Sequence, residues 1–559
     1  MLRMAVTRAT SGWRAPAGAA GPRGYFRRAT LAHVLTLGML LTLPMPLRAL
    51  DSVEITAPGA SGSLMQTLRA SSLLIAARDS GRVAPIDLMA AARAEYGRLL
   101  ELLYEEGHYA PTIRVLIDGR EAADISPLAT PARIDRIAVA IDLGPQFDFG
   151  RIEISPLAPA TTLPPEFLSG MPARSTVVRS AVGAALDAWR AQGHAQASVR
   201  SQDVTADHGA RRLNLRLVLD PGPQLRIGRV VPQGNERTRS ERIEAIAGLE
   251  TGALHSPEAI AAAETRLRRT GAFTAVVLRN AERANPDGTI DIEARVDEGL
   301  PRRLGFGVEL DSQSGVRLSG FWLHRNLLGG AERLRLEAAV DGIGAQAGGL
   351  GFALDARFTR PATLDRDTDL ELGLNLVRLN EADFLADALT AEALLRRRYT
   401  SALSASAGFS LRFEAADIGN FGTFGLPVTV THDTRDDLLD ASRGHYLAAE
   451  AMPYLGFGGA DSGIRLRLDA RGYTTAGTEG RLVLAGRAQA GALVGSSLAG
   501  APRGFLLYSG GGGSVRGLPY QSLGVNVLRN GPDSFRTGGT HFLAASVEGR
   551  LKVTENIGV

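Results

Sequence analysis

One arginine stands out for the chemistry that its neighbours imply. Residues 514–524 read SVRGLPYQSLG and follow a run of four glycines, so Arg516 is flanked by Val515 and Gly517. Glycines allow positive φ angles and close backbone approach, and such a loop can fold inward against a wall of the protein. A buried guanidinium needs an acidic partner, because an unpaired buried charge is costly. The sequence therefore predicts a buried, ion-paired Arg516.

Residues that could support catalysis or bind a metal form no known pattern. The chain has no cysteine, no Gly-x-Ser-x-Gly and no His-Glu-x-x-His, and its one lysine, Lys552, precedes Val553 and not the Ser or Thr of a phosphate-binding loop. Residues 431–440, THDTRDDLLD, lack the Gly and Glu of a calcium loop. We therefore expect a protein that is not an enzyme and that has no cofactor and no metal site.

The charge of the chain argues against a nucleic-acid-binding protein. Its formal net charge is +3 over 559 residues, and acidic and basic residues are interspersed. A nucleic-acid-binding protein carries clustered positive charge. We therefore expect no nucleic-acid partner.

The first fifty residues resemble a targeting segment. Several arginines precede the apolar run LAHVLTLGMLLTLPMPL, which is too short for a comfortable transmembrane helix. This pattern predicts a signal peptide over residues 1–50, with the mature chain starting near Asp51. The alternative is an uncleaved inner-membrane anchor.

An internal repeat precedes residue 300. GPQFDFGRI begins at Gly144 and GPQLRIGRV at Gly222, and a weaker copy, EGLPRRLGFGV, begins at Glu298. A second landmark recurs at Gly107, Gly193 and Gly271, where a helical pattern ends at a glycine suited to a left-handed cap. Each unit is predicted to run strand, helix, helix, strand, strand. The edges of such sheets can accept an added strand.

After residue 300 the pattern alternates with period two. Charged residues alternate with aliphatic ones, as in AERLRLEAAV from Ala331. A soluble sandwich and an outer-membrane barrel both alternate in this way, but many segments exceed the five or six residues usual in soluble strands and match membrane-crossing strands. About twelve strands are predicted, near 303–310, 315–324, 331–340, 348–358, 367–378, 391–399, 402–414, 422–432, 444–453, 462–473, 481–492 and 541–553.

These features resemble two known families. Residues 51–299 resemble a tandem of polypeptide-transport-associated (POTRA) domains, with boundaries at 51–143, 144–221 and 222–299. Residues 300–559 resemble the outer-membrane β-barrel of the BamA/TamA family. The expected fold class is therefore α+β POTRA repeats followed by an all-β transmembrane barrel.

The barrel resemblance rests on three motifs. GGSVRGLPYQSLG resembles the lumen-inserted sixth extracellular loop of the family, whose hallmark is Val-Arg-Gly and an aromatic residue. The implied positions are Val515, Arg516, Gly517, Leu518 at the aromatic position, and Tyr520. The early-barrel hairpin is HRNLLGGAERLRL and the mid-barrel hairpin is THDTRDDLLDASRGHYL, which imply roles for Asn326, Gly329, Glu332, Asp433, Arg435 and Gly444.

In the family the loop arginine pairs with an aspartate of a Phe-x-Asp-x-Gly motif. This sequence reaches ENIGV where that motif would begin. The resemblance implies about sixteen strands, so we expect a barrel that is C-terminally incomplete.

The resemblance also implies a function. It implies a non-enzymatic assembly factor that helps autotransporter-type barrels to fold into the outer membrane of a Gram-negative bacterium, with its POTRA domains in the periplasm. The expected partners are the lipid bilayer, client barrel proteins and an inner-membrane-anchored, TamB-like protein that binds the first repeat. Three repeats favour the TamA branch of the family. The alternatives are a two-partner-secretion pore and a passive porin, although a porin does not need the repeats.

Overall fold

The computed structural model describes residues 50, 52–126, 131–311, 315–345, 348–381, 384–477, 480–511, 513–518, 521–528, 534–554 and 558. The predicted signal peptide lies outside these residues, except for Leu50. The chain divides into two compact units, one up to Pro223 and one from Gln224 onward.

The first unit contains two small sheets with helices. The first sheet has four strands in the order β1-β4-β2-β3, and the second has three in the order β5-β7-β6. The elements are β1 (Ser52–Thr56), α1 (Gly62–Ser71), α2 (Leu73–Asp79), α3 (Pro85–Glu105), β2 (Thr112–Ile117), β3 (Arg120–Glu121), β4 (Arg136–Asp142), β5 (Asp148–Ser155), α4 (Ser175–Ala191), β6 (Ser198–Asp207) and β7 (Arg212–Asp220).

The first sheet is covered by three helices where two were predicted. The predicted helical stretch is divided at Ser72, whose hydroxyl oxygen accepts a hydrogen bond from Ile75 N at 3.2 Å. Glu95 of α3 is fully buried and accepts a hydrogen bond from Leu73 N at 2.8 Å. This carboxylate caps α2 from a neighbouring helix, which a local sequence pattern could not reveal.

The second sheet is covered by one helix, α4, so the predicted second helix of this repeat is wrong. Residues 156–174 form no helix in its place. Five prolines fall in this segment, and each removes a backbone N–H that a helix interior needs. Phe167 instead packs edge-on against Phe149, with ring centroids 5.5 Å apart.

The predicted glycine caps are confirmed. Gly107, Gly193 and Gly271 have φ angles of 87°, 90° and 71°, and each lies two residues after the end of a helix. In this left-handed region a side chain would add strain. The recurrence of these glycines therefore reflects a repeated backbone geometry.

The two repeat landmarks contact each other. The ring Nδ1 of His108 lies 3.3 Å from Gly144 O, and that of His194 lies 2.8 Å from Gly222 O. Each histidine follows a capping glycine, and each carbonyl belongs to a Gly-Pro-Gln motif. Each histidine therefore ties a helix end to the glycine that opens the next Gly-Pro-Gln motif.

The second unit begins with a three-stranded sheet of order β8-β10-β9 and continues into a sheet of thirteen strands among the described residues. Its elements are β8 (Arg226–Gln233), α5 (Ser240–Ala247), α6 (Pro257–Arg269), β9 (Phe273–Asn280), β10 (Thr289–Glu298), β11 (Arg302–Asp311), β12 (Gly315–Arg325), β13 (Arg333–Ile343), β14 (Gly351–Arg360), β15 (Thr368–Asn380), β16 (Leu385–Arg398), β17 (Leu403–Ala416), β18 (Gly419–Gly425), β19 (Val428–Asp433), β20 (Gly444–Phe457), β21 (Gly463–Ala476), β22 (Leu482–Val494), β23 (Val525–Leu528), β24 (Ser534–Thr537) and β25 (His541–Leu551).

The large sheet is antiparallel and follows the chain order. It runs from β11 to β18 and then through β20, β21 and β22 to β25, with β19 between β17 and β20. The predicted strand at 422–432 is interrupted, because Pro427 lacks an N–H, and it forms β18 and β19 instead. Strands β16, β17, β20 and β21 have 14 residues each. In the part of the chain that is described, no helix has the length and apolar character needed to cross a membrane.

Candidate luminal site

The large sheet has one apolar and one charged face. On β15, Leu372, Leu374 and Leu376 are between 38% and 50% exposed. The alternate residue Glu371 points to the other face, where it accepts a hydrogen bond from Arg396 Nε at 2.8 Å. A broad exposed apolar surface is unfavourable in water but suits contact with lipid. The charged face is then the luminal face.

Arg516 lies close to the luminal face of β25 but is not buried. Its Nη1 is 3.0 Å from Glu548 Oε2, and its side chain is 78% exposed. The prediction of a buried guanidinium is therefore wrong, because no described residue covers this side chain from the other side. Its acidic partner among the described residues is Glu548 of β25.

The rest of the loop motif is also open to solvent. Gly517 has a φ angle of 87°, and Leu518 is 40% exposed. Val515 is half-buried, and its carbonyl accepts a long hydrogen bond from Leu518 N at 3.5 Å. Tyr520 lies outside the described residues.

Arg516 is one end of a chain of ion pairs. Glu548 also binds Arg550 Nε at 2.7 Å, and Arg550 Nη1 lies 3.5 Å from Asp440 Oδ1. Asp440 belongs to the loop between β19 and β20. These ion pairs therefore connect the glycine-rich loop to the loop between β19 and β20 through β25.

The mid-barrel motif residues shape that second loop. Asp433 accepts two hydrogen bonds from the guanidinium of Arg435, at 2.9 and 2.7 Å. Gly444 has a φ angle of 92°, and a Cβ there would lie 2.2 Å from Thr434 O. The Asp433–Arg435 pair thus fixes the backbone at the start of this loop, and Gly444 fixes it at the end.

The early-barrel motif residues shape the loop between β12 and β13. Asn326 has a φ angle of 63°, and its Oδ1 accepts from Ala331 N at 2.9 Å. Glu332 is 2% exposed, and its Oε2 accepts from Gly330 N at 2.8 Å. Gly329, with a φ angle of 77°, provides the turn between them.

This loop is the docking surface of the third repeat. Asn326 Nδ2 donates to Thr238 Oγ1 at 2.9 Å, and Arg239 N donates to Gly329 O at 2.9 Å. Residues 222–299 thus contact residues 326–332 through hydrogen bonds that the sequence did not predict.

A second loop of the sheet, residues 361–367, contacts the same repeat. Arg242 donates to Pro361 O at 2.5 Å, and Arg266 lies 3.7 Å from Asp367. Burial lowers the pKa of both guanidinium groups from their usual range. Buried arginines that donate to backbone carbonyls are hard to separate from them, because each hydrogen bond would have to be replaced by a hydrogen bond to water.

The luminal residue that sequence reasoning missed is Arg503. Its side chain is 1% exposed and lies in the 3-10 helical turn Arg503–Phe505, after β22. Its Nη1 donates to Thr537 Oγ1 at 2.7 Å, and its Nη2 lies 3.4 Å from Asp417. No local pattern distinguishes Pro-Arg-Gly-Phe from a solvent-exposed loop, so only the folded sheet reveals this position.

A cavity of 720 Å³ lies beside the same loop on the luminal face. Its lining includes charged residues of the sheet, such as Arg467 and Asp469, and Tyr508 and Ser514 of the loop. Among the described residues, no group of three or more His, Cys, Asp or Glu is placed to hold a metal ion.

Comparisons with known proteins agree with this architecture. Residues 326–558 match the Omp85 superfamily domain, and residues 225–299 match a POTRA family described as a surface antigen variable number repeat. No curated protein matches the sequence.

The fold of this chain is similar to that of a solved outer-membrane protein. BamA from Haemophilus ducreyi lacking POTRA domains 1–3 is 17% identical, with a TM-score of 0.58 over 73% of this chain and 84% of that one. CdiB from Acinetobacter baumannii is 14% identical, with a TM-score of 0.46 over 74% of this chain and 78% of that one.

Residues 326–558 are thus similar to the Omp85 superfamily domain, and residues 225–299 to a POTRA repeat. The predicted fold class is confirmed: POTRA repeats precede a large antiparallel sheet like that of BamA.

Proposed function

We propose that this protein is a non-enzymatic assembly factor that helps autotransporter-type β-barrel proteins to fold into the outer membrane. The observation that carries the proposal is the arrangement of three small repeat-like sheets before one large sheet with a charged luminal face. The number of repeats favours the TamA branch over the central assembly machine and over two-partner-secretion transporters.

The assembly step would occur at a sheet edge. Among the described residues, β11 of the large sheet pairs only with β12. Unpaired backbone N–H and C=O groups cost several kcal/mol each in lipid, roughly as estimated for buried polar groups. A client strand that pairs at such an edge avoids this cost while it enters the membrane.

The first repeat provides a second edge. β1 pairs only with β4 among the described residues, so its other side is available to an added strand. We propose that a TamB-like, inner-membrane-anchored protein or a client segment pairs there. The POTRA repeats would then lie in the periplasm of a Gram-negative cell.

Reconstitution tests the proposal directly. The full-length protein in liposomes should accelerate folding of an autotransporter barrel domain at least tenfold, measured by heat-modifiable gel mobility, and should leave a trimeric porin unaffected. Absence of acceleration, together with stable ion conductance and passage of an unfolded polypeptide, would support the secretion pore instead.

A further inference from the structure

The segment after β22 is attached to the luminal wall at a buried point. This luminal segment, residues 495–511, turns at Arg503–Phe505, and the turn packs between distant parts of the sheet. On one side it contacts Glu414 of β17, and on the other Phe505 packs with Tyr454 of β20, at a ring separation of 5.1 Å.

Glu414 binds the backbone of the turn. Its side chain is fully buried, and its two carboxylate oxygens accept hydrogen bonds from Arg503 N and from Gly504 N, the latter at 3.3 Å. Arg412 neutralises the same carboxylate from 2.6 Å. A Cβ at Gly504 would lie 2.3 Å from Arg412 Nη2, so only glycine fits here without movement.

The Arg503 side chain holds two further parts of the chain. Thr537, which accepts from Arg503 Nη1, is 2% exposed and ends β24, four residues before β25. Asp417 follows β17 directly. The guanidinium also lies 5.8 Å from the ring centroid of Phe384. One side chain therefore joins the luminal segment to the end of β17 and to the approach to β25.

The Arg503 side chain is 1% exposed, and the buried Arg412–Glu414 pair lies against its backbone. Exposed ion pairs contribute little, whereas removing one partner of a buried charged network is strongly destabilising.

We propose that Arg503 and Glu414 are a latch that keeps the luminal segment in the barrel. The latch is a positioning device and is independent of which client the protein handles. Loss of the Arg503 side chain should shift the equilibrium between latched and released segment by on the order of 100-fold.

A single introduced cysteine reports on the latch, because the chain has none of its own. Ala501 is fully buried beside the turn, so Ala501→Cys should react slowly with a water-soluble maleimide in the full-length protein. Adding Arg503→Ala should speed labelling on the order of 100-fold. Arg503→Lys should restore part of the protection.

A milder variant guards against misfolding. Thr537→Val keeps the shape of the side chain but removes the oxygen that accepts from Arg503, and it should speed labelling about tenfold. Heat-modifiable mobility checks that the barrel is intact in each variant. Labelling that stays slow in folded Arg503→Ala or Thr537→Val protein would overturn the proposal.

Discussion

Arg516 Nη1 lies 3.0 Å from Glu548 Oε2, and among the described residues the Arg516 side chain is 78% exposed. Because exposed ion pairs contribute about 0–1 kcal/mol, Arg516→Ala should lower the free energy of unfolding by less than about 1 kcal/mol. Urea unfolding in liposomes, followed by gel mobility, measures this change. Arg516→Lys serves as the control. If Arg516→Ala lowered the free energy of unfolding by about 3 kcal/mol or more, as expected of a buried pair, this ion pair would be shielded from solvent and the prediction would be wrong.

The mid-barrel hairpin should not tolerate a side chain at Gly444. Its φ angle of 92° and the 2.2 Å approach of Thr434 O predict that Gly444→Ala destabilises the sheet by at least about 1–3 kcal/mol. Gly472 on the neighbouring strand β21 is the matched control, because no atom lies within 4 Å of a Cβ built there. Equal unfolding midpoints for the two alanine variants would contradict the prediction.

The third repeat should loosen from the sheet when one hydrogen bond is removed. Asn326→Asp keeps the oxygen that accepts from Ala331 N but removes the Nδ2 donor to Thr238 Oγ1. We expect a loss of about 1 kcal/mol at the docking surface. Hydrogen exchange at residues 235–240 should become faster, with no change at residues 112–117 of β2.

Asn326→Ala provides the comparison. It removes both hydrogen bonds and places alanine at a φ angle of 63°, so it should have the larger effect. If Asn326→Asp exchanged like the unmodified protein, the bond to Thr238 would not help to hold the repeat.

Stability of the same surface should depend on pH through Glu298. This carboxylate, 9% exposed, accepts hydrogen bonds from Arg237 N and Thr238 N at 3.0 and 2.7 Å. Burial raises its pKa, but the hydrogen bonds from Thr238 and Arg237 outweigh burial, and the pKa lies below its usual value. A lowered carboxyl pKa gives stability that is fully present above the unfolded value, near 4.3, and is lost as the pH falls through the folded value.

Hydrogen exchange at residues 235–240, corrected for the intrinsic rate, should therefore be constant from about pH 7 to 5 and should accelerate below about pH 4.5. Glu298→Gln should cost about 1.5–3 kcal/mol at neutral pH and should remove most of this pH dependence. A pH dependence that persists unchanged in the glutamine variant would assign it to another group.

Local patterns predicted the elements well, and they failed where burial depends on distant residues. The alternation after residue 300 located the strands of the large sheet, and Gly107, Gly193 and Gly271 located helix ends, because both signals follow from backbone geometry. The predicted second helix of the second repeat is wrong. The repeat suggested a helix there, but the prolines in residues 156–174 prevent one.

The luminal site was predicted less well than the strands. The resemblance pointed to Arg516, which does bind an acidic residue but remains exposed. Arg503, which is buried, lies beside no recognisable motif. Its burial depends on Glu414 and Thr537, which are 89 and 34 residues away in the sequence. Contacts of this range are set by the register of the whole sheet and leave no local signal.

Quantitative outer-membrane proteomics after deletion of the gene tests the proposed function most directly. The account predicts loss of a few autotransporter-like barrels, with most porins intact. General loss of barrels with cell death would instead indicate the central assembly machine. One secreted protein trapped in the periplasm, with every barrel intact, would contradict an assembly function and favour the secretion pore.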